Sequence, residues 1–133
     1  MMDEEFQFLT RAEVDELHED SLREFGGISG VRDDSLVESA LGAAMNEYLY
    51  GGGDAFSVAA AYAFHLAQNQ AFLDGNKRTA TASALVFLAI NGHTVEHELE
   101  DRMAIYDALI AIAERRMTKP ELATLFRKLF ATL

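Results

Sequence analysis

Residues 68–80 read Gln68-Asn69-Gln70-Ala71-Phe72-Leu73-Asp74-Gly75-Asn76-Lys77-Arg78-Thr79-Ala80. This polar stretch, with a glycine, a carboxylate, amides and two cations, separates two alanine-rich apolar runs, Ala55 to Leu66 and Ala80 to Ile90. Both runs are apolar on most sides, which marks buried central helices rather than surface ones. Their alanines (Ala59, Ala60, Ala61, Ala63, Ala80, Ala82, Ala84) allow close approach of the two axes. A polar loop joining two such helices is the candidate functional site.

Working outward gives helices on both sides. Thr10-Arg-Ala-Glu13 is a capping box that opens a first helix, with Val14, Leu17, Leu22 and Phe25 at mostly helical spacing before a Gly26-Gly27 stop. Residues 26–33 read as a tight glycine-rich loop. Asp33 or Asp34 opens a second helix through Leu36, Val37, Ala40 and Leu41 that ends near Ala44. Gly51-Gly52-Gly53 then reads either as a plain connector or as a flap beside the site. Asp54 caps a third helix to about Asn69, and a fourth runs from about Gly75 to Asn91, with Gly92 as the stop. A fifth is expected from about Glu98 to Arg116, with Met103, Ile105, Tyr106, Leu109, Ile110 and Ile112 inward. Thr118-Lys-Pro-Glu121 caps the last, which carries Leu122, Leu125, Phe126, Leu129 and Phe130. The expected fold is a compact all-α domain of six helices spanning residues 1–133.

Composition narrows the function. The 133 residues suit one domain, and half of them are apolar. There is no cysteine, which rules out disulfides and thiolate metal sites and is compatible with a reducing cytoplasm. The start is acidic (Asp3, Glu4, Glu5) and shows no signal-peptide pattern. The longest apolar run, Ala84 to Ile90, is too short to suggest a membrane span. A net charge of −11 repels phosphate backbones and argues against nucleic acid as a partner. Between Arg32 and Arg102 the only cations are Lys77 and Arg78.

Those two cations fall in the first turn of the fourth helix, where the helix dipole disfavours positive charge by about 0.3–1 kcal/mol each. An anion reverses the sign: free N–H groups, the dipole, Lys77 and Arg78 all favour it, and Gly75 lets it approach the backbone. The loop therefore reads as a phosphate site. The pattern G-x-x-x-x-G-K-[ST] is absent, so the site is not a standard P-loop. Asp74 suits the helix N-cap, or a Mg²⁺ ligand shared with substrate phosphates. Asn76 suits a cap-region amide or a phosphate contact, and Phe72 a core anchor for the loop.

The segment Phe72-Leu73-Asp74-Gly75-Asn76-Lys77-Arg78-Thr79-Ala80 resembles the H-x-F-x-D-G-N-K-R-T-A motif of the Doc (death-on-curing) toxins of the Fic/Doc family. Phe25-Gly-Gly-Ile28, Gly30-Val-Arg-Asp33, Glu38-Ser-Ala-Leu41, Ala60-Ala-Tyr-Ala-Phe64 and Leu85-Val-Phe-Leu88 also resemble that family in matching order. The resemblance implies a six-helix Fic-like bundle with the motif joining the two central helices. Adenylylating Fic enzymes carry G-N-G-R-x-x-R; here Lys77 stands at the second Gly and Thr81 at the second Arg, as in Doc, a protein kinase. The implied activity is transfer of phosphate from ATP to a threonine of elongation factor Tu, neutralised by a Phd-type antitoxin. By position, Asp74 would hold Mg²⁺, and Gly75, Asn76, Lys77 and Arg78 the nucleotide phosphates.

The departure is Gln70, which stands where the family has its general-base His. A carboxamide does not accept a proton near pH 7, and losing a positioned base commonly costs about 10²–10⁴-fold in rate. No other histidine is expected to replace it. His65 lies about 140° round its helix from position 70, and His93 and His97 follow the far end of the fourth helix, roughly 25 Å away by rise. His18 reads as a partly exposed helix residue. Glu96-His97-Glu98 reads as a solvated turn. The expectation is a Doc-like phosphotransferase, weakened or inactive. The alternatives are a catalytically dead regulator that binds nucleotide or antitoxin, and, more weakly, a protein adenylyltransferase.

Overall fold

A computed structural model describes residues 6–93 and 99–130. The acidic start at Asp3, Glu4 and Glu5, the Glu96-His97-Glu98 turn and the onset of the fifth helix at Glu98 lie outside the described residues. Among the described residues six helices make up the bundle: α1 (Arg11–Phe25), α2 (Asp34–Leu49), α3 (Ala55–Asn69), α4 (Asn76–Ile90), α5 (Leu99–Ala113) and α6 (Lys119–Leu129). Among the described residues the only extended pairing is one antiparallel bridge, Val31 with Phe72. No described helix is long and apolar enough to cross a membrane.

The helix starts follow their caps. Thr10 with Glu13, and Thr118 with Glu121, form reciprocal capping boxes, and Asp33 and Asp54 accept from Ser35 and Ser57 N–H groups respectively. Each such cap contributes about 1 kcal/mol to its helix. The ends diverge more. α2 continues past Ala44 to Leu49, because Tyr48 packs into an aromatic cluster with Phe6 and Phe8 that polar Asn46 and Glu47 obscure in the sequence.

α3 and α4 are central, as their composition predicts. Ala59, Ala60, Ala61, Ala63, Ala80 and Ala84 are fully buried, as are Leu66, Phe87 and Leu88. α2 and α6 flank α3, α1 lies against α4, and α5 contacts both central helices. The buried stripe of α1 is Val14, His18 and Ser21, with Leu17 and Leu22 only half-buried and Phe25 57 % exposed. His18 is therefore a core residue and not the partly exposed one its polarity suggests. On α5, Ile105, Leu109 and Ile112 face inward as expected, but Met103 and Tyr106 do not; they are 55 % and 40 % exposed, and Tyr106 lines an apolar groove.

Candidate active site

α3 ends in a sharp turn. Gln70 takes the left-handed conformation (φ 50°, ψ 52°), which costs an L-residue of this type roughly 1–2 kcal/mol. The turn sends residues 71–75 back across the end of the bundle. Ala71 and Phe72 are buried, and Phe72 stacks on the His18 ring at 3.9 Å between centroids. His18 Nε2 donates to the Asp74 carbonyl at 2.8 Å, which requires the Nε2–H tautomer or the protonated ring. The core-anchor reading of Phe72 thus holds, and a buried histidine is its partner.

Asn76 closes the loop from the other side. Its Oδ1 accepts from the Phe72 N–H at 3.0 Å, and its Nδ2 donates to the Phe72 carbonyl at 2.9 Å. The amide grips one residue's peptide groups and keeps one N–H to offer a ligand. Asp74 does not cap α4. The N-cap is Gly75, which has no side chain to offer. Asp74 instead accepts from the Gly75 N–H at 2.9 Å through Oδ1 and from the Ile28 N–H at 3.2 Å through Oδ2. The expected Asp74 cap fails because the loop turns one residue later than the sequence suggests and aims the carboxylate at the α1–α2 connection.

The uncapped start of α4 is the electrostatic feature of the site. The first bond of the helix runs from Thr79 N–H to the Gly75 carbonyl, so the N–H groups of Asn76, Lys77 and Arg78 have no acceptor among the described residues. Three free donors and the positive end of a helix dipole there favour an anion. Beside them lies a pocket of about 230 Å³ lined by Ala67, Gln70, Leu73, Asp74, Gly75, Asn76, Lys77 and Ala113. Gln70, Asp74 and Lys77 share it. Arg78 does not: its guanidinium lies 4.3 Å from the centre of the Phe25 ring, on the α1 side of α4. Successive helical residues diverge by about 100°, so adjacent cations cannot face one pocket without one of them bending back. Sequence adjacency thus overstated their convergence.

His65 and His93 stay out of the site. His65 lies 3.3 Å from Lys119 Nζ, and its pKa is lowered by burial first and by the Lys119 charge second. His93 packs on Phe56 beyond the far end of α4. Thr81 turns its hydroxyl back onto the Lys77 carbonyl at 2.9 Å. Among the described residues no group of three or more His, Asp or Glu side chains is placed to hold a metal. A single carboxylate, Asp74, beside an anion-favouring helix end fits the way Mg²⁺ is held by one or two carboxylates together with substrate phosphates.

The sequence did not reveal the α1–α2 connection as part of the site. Residues 26–33 lie along the motif loop. The Leu73 N–H donates to the Gly30 carbonyl at 3.1 Å, and the Arg32 and Asp33 N–H groups donate to the Ala71 carbonyl at 2.7 and 3.2 Å. The Arg32 side chain reaches the carbonyls of Asn69 and Gln70. The available signal was Gly30-Val-Arg-Asp33, a glycine-rich turn carrying a cation in an acidic chain.

This architecture and motif geometry define a Fic-type domain. The model of the Fic/DOC family matches residues 8–88, and the chain belongs to that family. Within it the chain is Doc-like: it is 31 % identical over 117 residues to the "Protein kinase doc" of Escherichia phage P1, covering 87 % of this chain and 90 % of that protein. It is 46 % identical over 72 residues to a "Toxin Doc" of Mycolicibacterium smegmatis, covering 51 % of this chain and 54 % of that one.

Proposed function

We propose that this protein is a Doc-type toxin of a toxin–antitoxin module whose site transfers the γ-phosphate of ATP to a protein hydroxyl, and that Gln70 holds the rate low. The observation that carries this reading is the pocket shared by Gln70, Asp74 and Lys77 at the uncapped start of α4. The free N–H groups and Lys77 bind and orient phosphate oxygens. Asp74 would hold Mg²⁺, which when bound neutralises phosphate charge. The attacking hydroxyl oxygen forms the new P–O bond as the bond to ADP breaks, and its proton must leave. Gln70 can accept a hydrogen bond from that hydroxyl and orient it, but it cannot keep the proton, which passes to water. Positioning and electrostatics remain, so transfer is slow rather than abolished. By family resemblance the acceptor is a threonine of elongation factor Tu. The Thr81 hydroxyl, bound to its own helix, offers no second cation for adenylyl transfer. Arg78 reaches the phosphates only by leaving the Phe25 ring.

The test restores the base. Gln70→His should raise phosphate transfer from labelled ATP to elongation factor Tu by about 10²-fold or more. No transfer by the folded variant would sink the kinase reading. If that variant is silent while calorimetry still shows ATP binding that Lys77→Ala removes, the chain is a nucleotide-binding regulator instead. That second reading draws on the same Gln70.

The antitoxin has a fitting surface. An apolar groove of about 590 Å³ runs between α1, α4 and α5, lined by Phe25, Ala82, Leu85 and Tyr106, with Arg78 and Arg102 beside them. Two cations on an apolar groove in a chain of net charge −11 suit a Phd-type segment with an apolar face and acidic flanks. Tyr106→Asp should weaken such a peptide at least about tenfold in a fluorescence titration, with ATP binding unchanged; undiminished peptide affinity would place the antitoxin elsewhere.

A further inference from the structure

We infer that Arg32, which does not line the pocket, is the positioning residue for side chain 70. The inference rests on the proposal that position 70 faces the attacking hydroxyl. A helix that ends in a left-handed residue is ordinarily closed by its own backbone, an amide just past the end donating back to a carbonyl of the last turn. α3 has no such closure among the described residues: neither Gln70 nor Ala71 N–H has an acceptor there. The last turn of α3 also holds no basic side chain to meet the negative end of its dipole.

Arg32 supplies both from another loop. Its Nε donates to the Gln70 carbonyl at 2.8 Å, and its Nη2 donates to the Asn69 carbonyl at 2.9 Å and to the Gln70 carbonyl as well. Its own N–H and that of Asp33 take the next carbonyl, Ala71. Three consecutive carbonyls, 69 to 71, are thereby fixed by residues 32 and 33. The chain has 22 acidic residues, yet the hydrogen bonds of this exposed guanidinium go to backbone oxygens and none to a carboxylate among the described residues. The planar fork sets two donors in one rigid geometry, which fixes the orientation of the peptide that carries side chain 70. The other tethers of the loop do not need this side chain. Leu73 N–H on Gly30, Ile28 N–H on Asp74 and the Arg32 N–H on Ala71 all remain when the guanidinium is removed. Truncating it should leave the loop docked and residue 70 loose.

The experiment uses the full chain carrying Gln70→His, with Arg32→Ala or Arg32→Lys added. Arg32→Ala should lower kcat about tenfold, keep KM for ATP within about twofold, and leave Tm nearly unchanged, with Arg32→Lys recovering part of the loss. An unchanged kcat, or a loss of kcat shared by KM and Tm, would overturn the inference. In the chain with its own Gln70, Arg32→Ala should shift or broaden the amide signals of Gln70 and Ala71 in a ¹⁵N NMR spectrum and leave those of Ile28 and Gly30 in place. Unmoved Gln70 and Ala71 signals would overturn it too. If Gln70→His transfers no phosphate even with Arg32 present, the reading of position 70 fails, and the NMR comparison alone decides whether Arg32 orders residue 70.

Discussion

α2 is entered through residues 26–33 and left through residues 50–54, and both connections are rich in glycine. The entry lies along the motif loop. It touches Asp74 through Ile28, Leu73 through Gly30, and the end of α3 through Arg32. The exit touches none of these. The Gly53 N–H donates to the Glu47 carbonyl at 3.1 Å, and Asp54 pairs with Arg127 of α6. The sixteen residues of α2 separate the two by about 24 Å. Of the two readings of Gly51-Gly52-Gly53, the connector is the one the structure supports. Three consecutive glycines mark freedom of the backbone. A site is marked instead by a glycine that another segment approaches, and sequence alone does not say which glycine that is.

Gly27 and Gly52 put this contrast to its strongest test. Gly27 has φ +126°, and a Cβ there would lie 2.9 Å from Asp74 Oδ2 and 3.1 Å from Leu22 Cδ2. A side chain at 27 must displace the Asp74 carboxylate and accept a strained backbone. Gly27→Val should destabilise the fold by about 2–3 kcal/mol in urea unfolding and abolish detectable Mg²⁺-dependent ATP binding in calorimetry. Gly52 has φ +63° and open space around its missing Cβ. Gly52→Ala should cost only about 1 kcal/mol, and ATP binding should persist. Equal effects at the two positions would erase the distinction between the loops.

The same contrast explains what could be read in advance. Helix starts were legible because a cap is local: Thr10 with Glu13, Asp33, Asp54, and Thr118 with Glu121 each act within three residues of themselves. The buried central pair was legible because alanine-rich helices without a polar face can only lie inside. The start of α4 just after the polar loop was legible to within a residue, since the loop interrupts two apolar runs. What stayed hidden is non-local. One partner of the Asp74 carboxylate, Ile28, is 46 residues away, Arg32 meets Gln70 across 38 residues, and His18 meets Asp74 across 56 residues. His18 reads as partly exposed in the sequence because a buried imidazole needs a stacking partner and an acceptor, and both come from the motif loop. Lys77 and Arg78 looked convergent because they are neighbours in sequence, and a helix separates neighbours.

The smallest effect belongs to the exit connection and is a matter of pH. Burial opposes ionisation of Asp54, but the hydrogen bond and charge of Arg127 and the Ser57 N–H together outweigh it and hold its pKa below the ordinary 3.8. A carboxyl with a depressed folded pKa contributes stability that is present above its unfolded value and lost as pH falls through the folded one. The contribution should therefore be complete at pH 6 and fade below about pH 4. The Asp54 side chain is half exposed, so solvent screening keeps the ion-pair part to well under about 1 kcal/mol. Asp54→Asn retains a capping side chain while removing the charge. Its urea midpoint should fall slightly below that of the parent at pH 6 and converge with it as pH falls through the depressed folded pKa, with ATP binding untouched at neutral pH. A gap between the two proteins that widens towards acid would reverse the sign and show that Asp54 is held protonated. A loss of ATP binding would mean that the exit loop communicates with the motif loop after all, along the length of α3.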